Sequence, residues 1–417
     1  MQGDLIDKRM QLKIIMHLCP KQFFYFFFNY DRVIGFLSGQ RMKKNIVIVT
    51  RNLPPLVGGM ERLNWHIADE LSQNNQITII SHSAAGPLAP TNTTFCSVPL
   101  NPLPLFLIIS FLRTLWCCLT QPVDTLFAGS GLTAPIVVIL AKILRKKSIV
   151  YIHGLDIGTN NKLYKLCWIP FIRQADQVIA NSSPTYQLCI QKNISKEKMS
   201  IIHPGVSYPP KPKNEKIIQT LRERYNLNDK QILISVGRLT ERKGMNEFIE
   251  LCLSKVVNML PDTVLIIIGD TPNQSLNKNL QSKELILTTA KKHNLTNNII
   301  FTGNIQDDDM LAGFYYLADL HVFPVKHIPH DPEGFGMVAI EAAAHGTPTV
   351  AFATGGIVDA VKQDYSGLLI PPNDYDLLTH TILDVLKTQT ISADNCQQYA
   401  AQFSWQSLNK KLEQTMK

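Results

Sequence analysis

Residues 320–361 read LHVFPVKHIPHDPEGFGMVAIEAAAHGTPTVAFATGGIVDAV. A short apolar run, Leu320–Phe323, gives way to a polar loop. The loop passes through Gly334 and Gly336 into an alanine-rich helix. Gly346 and Pro348 end that helix, a second apolar run follows at Thr349–Phe352, and Thr354-Gly355-Gly356 turns the chain into another helix. Strand, glycine loop and helix, twice over, is the βαβ rhythm of a parallel sheet.

The same rhythm extends outward in both directions. Strands are expected at Ile46–Thr50, Ile77–Ser81, Thr125–Ala128, Ser148–His153, Gln177–Ala180 and Ser200–His203. A second series is expected at Ile232–Gly237, Thr263–Gly269, Ile299–Thr302, Leu320–Phe323, Thr349–Phe352 and Gly367–Ile370. Continuous apolar strands separated by helical stretches call for parallel sheets covered on both faces. Tyr208-Pro209-Pro210-Lys211-Pro212-Lys213 lacks any period and separates the two series. The expected fold class is α/β: two Rossmann-like, doubly wound domains, residues 43–206 and 213–402, with residues 403–417 crossing back to the first. Ligands of such sheets lie beyond the carboxyl ends of the strands, so the cleft between the domains is the expected site.

The composition sets limits. The chain has 417 residues, 45% hydrophobic and 18% charged, which excludes a mainly disordered or fibrous protein. Eight cysteines include one adjacent pair and no C-x-x-C, so neither a zinc spacing nor a small disulfide framework is present, and a reducing cytoplasm fits. Residues 43–206 carry fifteen Lys/Arg against seven Asp/Glu, whereas residues 207–417 carry twenty against twenty-three. A basic first half suits an anionic partner. No uninterrupted apolar run reaches a membrane-spanning length; Leu103–Leu112 is stopped by Arg113. Residues 1–41, with the cluster Phe23–Phe28, leave two readings open: translation starting at Met42, or a membrane-surface segment.

The chemistry concentrates in the 330–361 segment. Glu333 and Glu341 are eight residues apart, and Gly334 and Gly336 let a ligand approach the backbone. Free N–H groups at the following helix start suit hydroxyls or phosphate oxygens. Glu341, expected two turns into that helix, can accept two hydrogen bonds from a vicinal diol.

This pattern, E-x7-E enclosing E-G-F-G and followed by G-T-P and T-G-G, resembles the retaining nucleotide-sugar glycosyltransferases of family 4, which have the GT-B fold. The resemblance runs from about Asn45 to Trp405. Ser235-Val236-Gly237-Arg238-Leu239-Thr240-Glu241-Arg242-Lys243-Gly244 matches the family's strand and R-x4-K loop, Leu56-Val57-Gly58-Gly59-Met60-Glu61 its G-G-x-E loop, and His153-Gly154-Leu155-Asp156 its H-G-x-D. The resemblance implies that Arg238 and Lys243 clamp the donor diphosphate, whose negative charge grows as the glycosidic bond breaks. It implies catalytic roles for His153, Glu333, Arg238 and Lys243. It places the donor against Gly58, Gly59, Gly269, Glu333, Gly334, Phe335, Gly336, Met337, Val338 and Glu341, and makes Asp156 and Ser182 acceptor-side candidates. Asp307-Asp308-Asp309 reads as an acidic helix cap rather than a metal site. No metal and no cofactor are expected, the nucleoside-diphosphate sugar being a substrate.

The implied reaction is hexosyl transfer from a UDP- or GDP-linked sugar to a hydroxyl with retention, the departing phosphate oxygen taking the acceptor's proton. The expected acceptor is a lipid-linked or cell-envelope glycan, as in polysaccharide or lipopolysaccharide biosynthesis. Lys142, Arg145, Lys146, Lys147, Lys162, Lys165 and Arg173 give the first domain a basic surface, and Pro102–Thr120 is strongly apolar with Trp116. Either that segment is a buried helix, or the enzyme sits peripherally on the inner face of an anionic plasma membrane. Rival readings are a GT-B nucleotide-sugar epimerase and a non-catalytic nucleotide-sugar binding protein. A nucleic-acid partner is not expected, because the basic residues are not interleaved with stacking aromatics.

Overall fold

The computed structural model describes residues 43–271 and 281–416, and the readings attached to residues 1–41 lie outside them. Two sheets make the frame. The first contains β1 (Asn45–Val49), β2 (Gln76–His82), β3 (Thr93–Val98), β4 (Thr125–Ala128), β5 (Lys147–Ile152), β6 (Gln177–Ala180) and β7 (Met199–Ile201), in the order β3-β2-β1-β4-β5-β6-β7. The second contains β8 (Gln231–Val236), β9 (Thr263–Ile268), β10 (Ile299–Gly303), β11 (Leu320–Phe323), β12 (Thr349–Phe352) and β13 (Gly367–Ile370), in the order β10-β9-β8-β11-β12-β13. Every strand pair is parallel.

The residues explain the layering. All four residues of β4, all six of β9 and all four of β12 are buried, which requires helices on both faces of each sheet. All six runs expected in the second sheet lie within a residue of its strands, β11 to β13 with the same bounds. β3 is the strand that the sequence pattern does not predict. It sits at an edge with a single neighbour, and of its six residues Thr93–Val98 only Val98 is buried, so its sequence lacks an apolar run.

In each sheet the order reverses at one point, between β1 and β4 and between β8 and β11. The loops leaving those strands diverge to opposite faces and open a crevice at the carboxyl ends. Five helices matter for the site and its surroundings: α1 (Gly59–Ser72), α2 (Leu103–Thr120), α3 (Ala134–Leu144), α4 (Met337–Ala344) and α5 (Trp405–Thr415). α4 begins at Met337, so Glu341 lies one turn into it rather than two. The cause is Gly336, whose φ of 94° falls outside the helical region and sets the boundary.

α5 belongs to the first domain's core. Trp405, Leu408, Leu412 and Met416 pack with Ile46, Ile48, Leu63 and Ile67. The Trp405 ring stacks on His66 with centroids 3.9 Å apart, and Ser404 caps the helix by accepting from the Ser407 amide. Each such apolar side chain contributes about 1.5–3 kcal/mol when fully buried. The two strands of chain that join the domains run side by side: the Val206 amide donates to the Phe403 carbonyl at 2.7 Å.

α2 departs from the sequence reading. Arg113 does not interrupt it, and over Leu103–Thr120 it is long and apolar enough to cross a membrane by length and composition. A single arginine on an exposed flank does not break a helix, whereas counting an unbroken apolar run stops there.

Candidate functional site

The expected site residues gather at the carboxyl ends of the strands around the two reversal points. Gly58 and Gly59 follow β1, His153 follows β5, Arg238 and Lys243 follow β8, Gly269 ends β9, and Glu333 to Val338 lie between β11 and β12. Gly237, Arg238, Lys243 and Phe323 line a hollow at the end of β8.

The charged centre is built on the loop after β8. Glu333 accepts from Lys243 Nζ at 3.0 Å and from Arg242 Nη1, while Arg242 Nε lies 3.6 Å from Asp331. The Glu333 side chain is only 13% exposed. Burial alone would raise its pKa, but Arg242 and Lys243 hold the carboxyl down at about 2. Burial lowers the Lys243 pKa, the neighbouring guanidiniums of Arg242 and Arg238 lower it further, and Glu333 opposes them. The Lys243 ammonium also lies 4.5 Å from the centroid of the Phe323 ring. Arg242 and Lys243 are therefore tied to carboxylates, while Arg238 remains exposed at the mouth of the hollow. Its Cζ is 3.8 Å from where a side chain at Gly58 would begin, so it faces the loop after β1.

The two domains meet closely here. A Cβ placed on Gly334 would fall 2.5 Å from the His153 carbonyl oxygen and 2.7 Å from Asn181 Nδ2, so only glycine lets the loop seat against the first domain. Gly269 has φ 136°, and a Cβ there would meet the Gly237 carbonyl at 2.0 Å. His153 is buried, and its Nε2 is 2.8 Å from the Gly129 carbonyl oxygen. A carbonyl only accepts, so Nε2 carries a proton and Nδ1 is the ring nitrogen left for a ligand.

Glu341 is engaged on both oxygens. Arg62 Nη2 of α1 donates to Oε1 at 2.8 Å, and the Tyr315 hydroxyl donates to Oε2 at 3.2 Å. The carboxylate raises the Arg62 pKa above its ordinary value, and burial together with Glu341 pushes the Tyr315 phenol up. Glu61 instead turns back to accept from Asn52 Nδ2 at 2.8 Å.

The acceptor-side candidates are used within their own domain. Asp156 accepts from the Gly131 amide at 3.1 Å and the His153 amide at 3.2 Å, joining the loops after β4 and β5. Ser182 is completely buried and caps the helix Ser183–Gln191 through the Thr185 amide. Asp307 caps its helix through the amides of Asp309 and Met310.

Four contributors escaped the sequence reading as site residues: Arg62, Arg242, Tyr315 and Asp359. Asp359, after the Thr354-Gly355-Gly356 turn, accepts from the Ser183 amide and hydroxyl and lies 3.2 Å from His203 Nε2, so it bridges the domains. Arg62 and Arg242 stand inside the quoted motifs, beside the residues chosen. Tyr315 and Asp359 carry no local signal, since their partners are 26 and 176 residues away.

Two parallel-sheet domains with charged side chains gathered at their strand ends are the arrangement expected of the GT-B fold. The comparisons agree. Residues 57–208 match the Glycosyltransferase Family 4 model and residues 217–403 the glycosyl transferases group 1 model. The chain belongs to this glycosyltransferase family. It is 24% identical over 362 residues to the GDP-mannose-dependent alpha-(1-6)-phosphatidylinositol monomannoside mannosyltransferase of Mycolicibacterium smegmatis, covering 82% of this chain and 89% of that one. It is 29% identical over 240 residues to the D-inositol 3-phosphate glycosyltransferase of the same organism, covering 56% of this chain and 51% of that relative's length. Among solved structures, Anabaena Alr3699/HepE in complex with UDP-glucose superposes with a TM-score of 0.74 at 21% identity, over 89% of this chain and 99% of that one. At that identity the likeness shows the fold alone.

Proposed function

We propose that this enzyme moves a hexose from a nucleoside-diphosphate sugar to a hydroxyl of a lipid-linked or cell-envelope glycan, with retention at the anomeric carbon. The observation that carries the reading is the Arg242–Glu333–Lys243 cluster beside exposed Arg238, set against His153 and the Gly58-Gly59 loop. Arg238 and Lys243 meet the charge that develops on the departing diphosphate. Glu333 fixes the direction of Lys243 and turns its remaining acceptor capacity to the sugar hydroxyls. His153 Nδ1 borders the sugar. Glu341 holds the ribose, its diol taking the place of Arg62 on Oε1. The departing phosphate oxygen collects the acceptor's proton, so the route asks for fixed charge and positioning and calls for no metal.

The donor class is supported by relatives: one is named for GDP-mannose and solved neighbours hold UDP or UDP-glucose. A phosphatidylinositol mannoside acceptor in the first relative's name supports a lipid-linked acceptor here, and the basic first domain supports work at the inner face of an anionic membrane.

A thermal-shift panel with UDP, GDP, ADP and their common sugars tests the reading. One nucleotide raises Tm, by an amount equivalent to about 2.7 kcal/mol at a hundred times Kd, and the shift disappears in Arg238→Ala and Glu341→Ala. No shift with any of them refutes the donor site. Proton NMR of the product's anomeric centre tests retention, and an inverted product refutes it.

A further inference from the structure

The helix α2 is apolar on its outer side as well as on the side that packs into the first domain. Its inner side carries Phe106, Ser110, Thr114 and Cys117, all buried. Two of those four are hydroxyl residues: Thr114 Oγ1 folds back onto the Ser110 carbonyl at 2.6 Å, and Ser110 Oγ is buried without a partner. The outer side carries Ile108, Leu112, Trp116 and Leu119, exposed by 58%, 57%, 65% and 66%. Their spacing of four, four and three makes one continuous stripe along the helix. Ile143, on the neighbouring helix α3, is 67% exposed as well. Single exposed apolar residues are ordinary on a surface, but a stripe about three turns long on a helix that also turns two hydroxyl residues inward is not.

Cations flank the stripe. Arg113 lies on α2 itself, and Lys142, Arg145 and Lys146 lie at the end of α3, with Arg113, Lys142 and Arg145 exposed. Lys146 is near enough to Cys118 of α2 to oppose the rise that burial gives that thiol. α2 carries no Asp or Glu. An apolar stripe bordered by positive charge is complementary to one surface in particular, an anionic bilayer, whose headgroups meet the cations while the interface receives the apolar side chains.

We propose that the outer face of α2 is a membrane-docking surface, inserting Ile108, Leu112, Trp116 and Leu119 into the interface of an anionic leaflet with Arg113 and the end of α3 against its headgroups. The helix lies along the membrane rather than across it, because its other side is committed to the first domain's core beside β1, β2 and β3. This sharpens the membrane part of the proposed function to named residues and stands without it.

The test uses the full chain and vesicles of phosphatidylglycerol and phosphatidylcholine, alongside vesicles of phosphatidylcholine alone. The chain sediments with the anionic vesicles at about 0.1 M salt and less at 1 M, where the Debye length falls from about 10 to 3 Å. Brominated acyl chains quench fluorescence, and Trp116→Phe removes most of that quenching. Leu112→Glu combined with Trp116→Glu weakens vesicle binding by at least about tenfold, since both side chains lose their transfer into the interface. Those positions are already exposed, so Tm and nucleotide-induced thermal shifts stay at the wild-type level and separate loss of docking from loss of the donor site. Failure of the full chain to bind anionic vesicles overturns the proposal. So does unchanged binding by the double variant, or a concentration-dependent dimer that the double variant abolishes, which would give the face to a second copy.

Discussion

Replacing Glu333 by Gln keeps the shape of the side chain and removes its charge, leaving Arg242 and Lys243 without their shared carboxylate. The folded carboxyl titrates at about 2 against an ordinary value of 4.5. A depressed folded value stabilises the native state above the unfolded value and ceases to do so as pH falls through the folded one. The difference of roughly 2.5 units corresponds to about 3 kcal/mol at pH 7. By the same linkage a little under half of that remains at pH 3. Urea unfolding of wild type and Glu333→Gln at pH 7 and pH 3 reads this directly, the expected gap between the two proteins halving across that range. A gap under about 1 kcal/mol at pH 7, or one that does not change with pH, would refute the view that this ion cluster is a tightly held, desolvated unit.

Two further substitutions probe the contact between the domains. Gly334→Ala forces a methyl group to within 2.5 Å of the His153 carbonyl oxygen, so the loop must withdraw from the first domain. A withdrawal of about 1 Å lowers kcat/KM by about 100-fold, and steady-state release of nucleoside diphosphate measures it. Asp359→Asn weakens the bonds from Ser183 and His203 that, against the opposing effect of burial, hold the Asp359 carboxyl below its usual range. It costs about 1–3 kcal/mol at pH 7. The penalty fades only below the ordinary carboxyl value of 3.8, as pH falls through the lowered one, and urea midpoints at pH 7 and pH 2 show whether it does.

Much of this was legible from the chain alone. β4, β6, β11, β12 and β13 occupy the residues their apolar runs mark, because strands covered on both faces must be apolar throughout. β3 escaped because an edge strand does not need to be. The positions of Gly334 and Gly269 were visible as glycines, but the carbonyls they lie against belong to other strands' loops, and no spacing reports those. The ion pairs were less legible still. Arg62 meets Glu341 across 279 residues, and Arg242 shares Glu333 with Lys243 across 91 and 90. The first pair is selected by how the two sheets face each other and the others by which strand ends lie side by side in the second sheet, and both are tertiary facts. Arg113 misled in the other direction: charge marks the end of an apolar run, yet says nothing about the end of a helix.

The return of α5 to the first domain bears on the order in which the molecule is made. Trp405, Leu408, Leu412 and Met416 complete a core begun at Ile46 and Ile48, so the earliest-synthesised domain lacks part of its interior until the last residues leave the ribosome. The buried cores of the second domain end at Ala400 and take nothing from α5, so that domain closes without it. Chains stalled with residue 402 just outside the ribosome are therefore expected to resist protease in their second half while the first half is cut, and release of the final helix should protect both. Equal protection of the first half before and after that release would show that its interior is stable without α5.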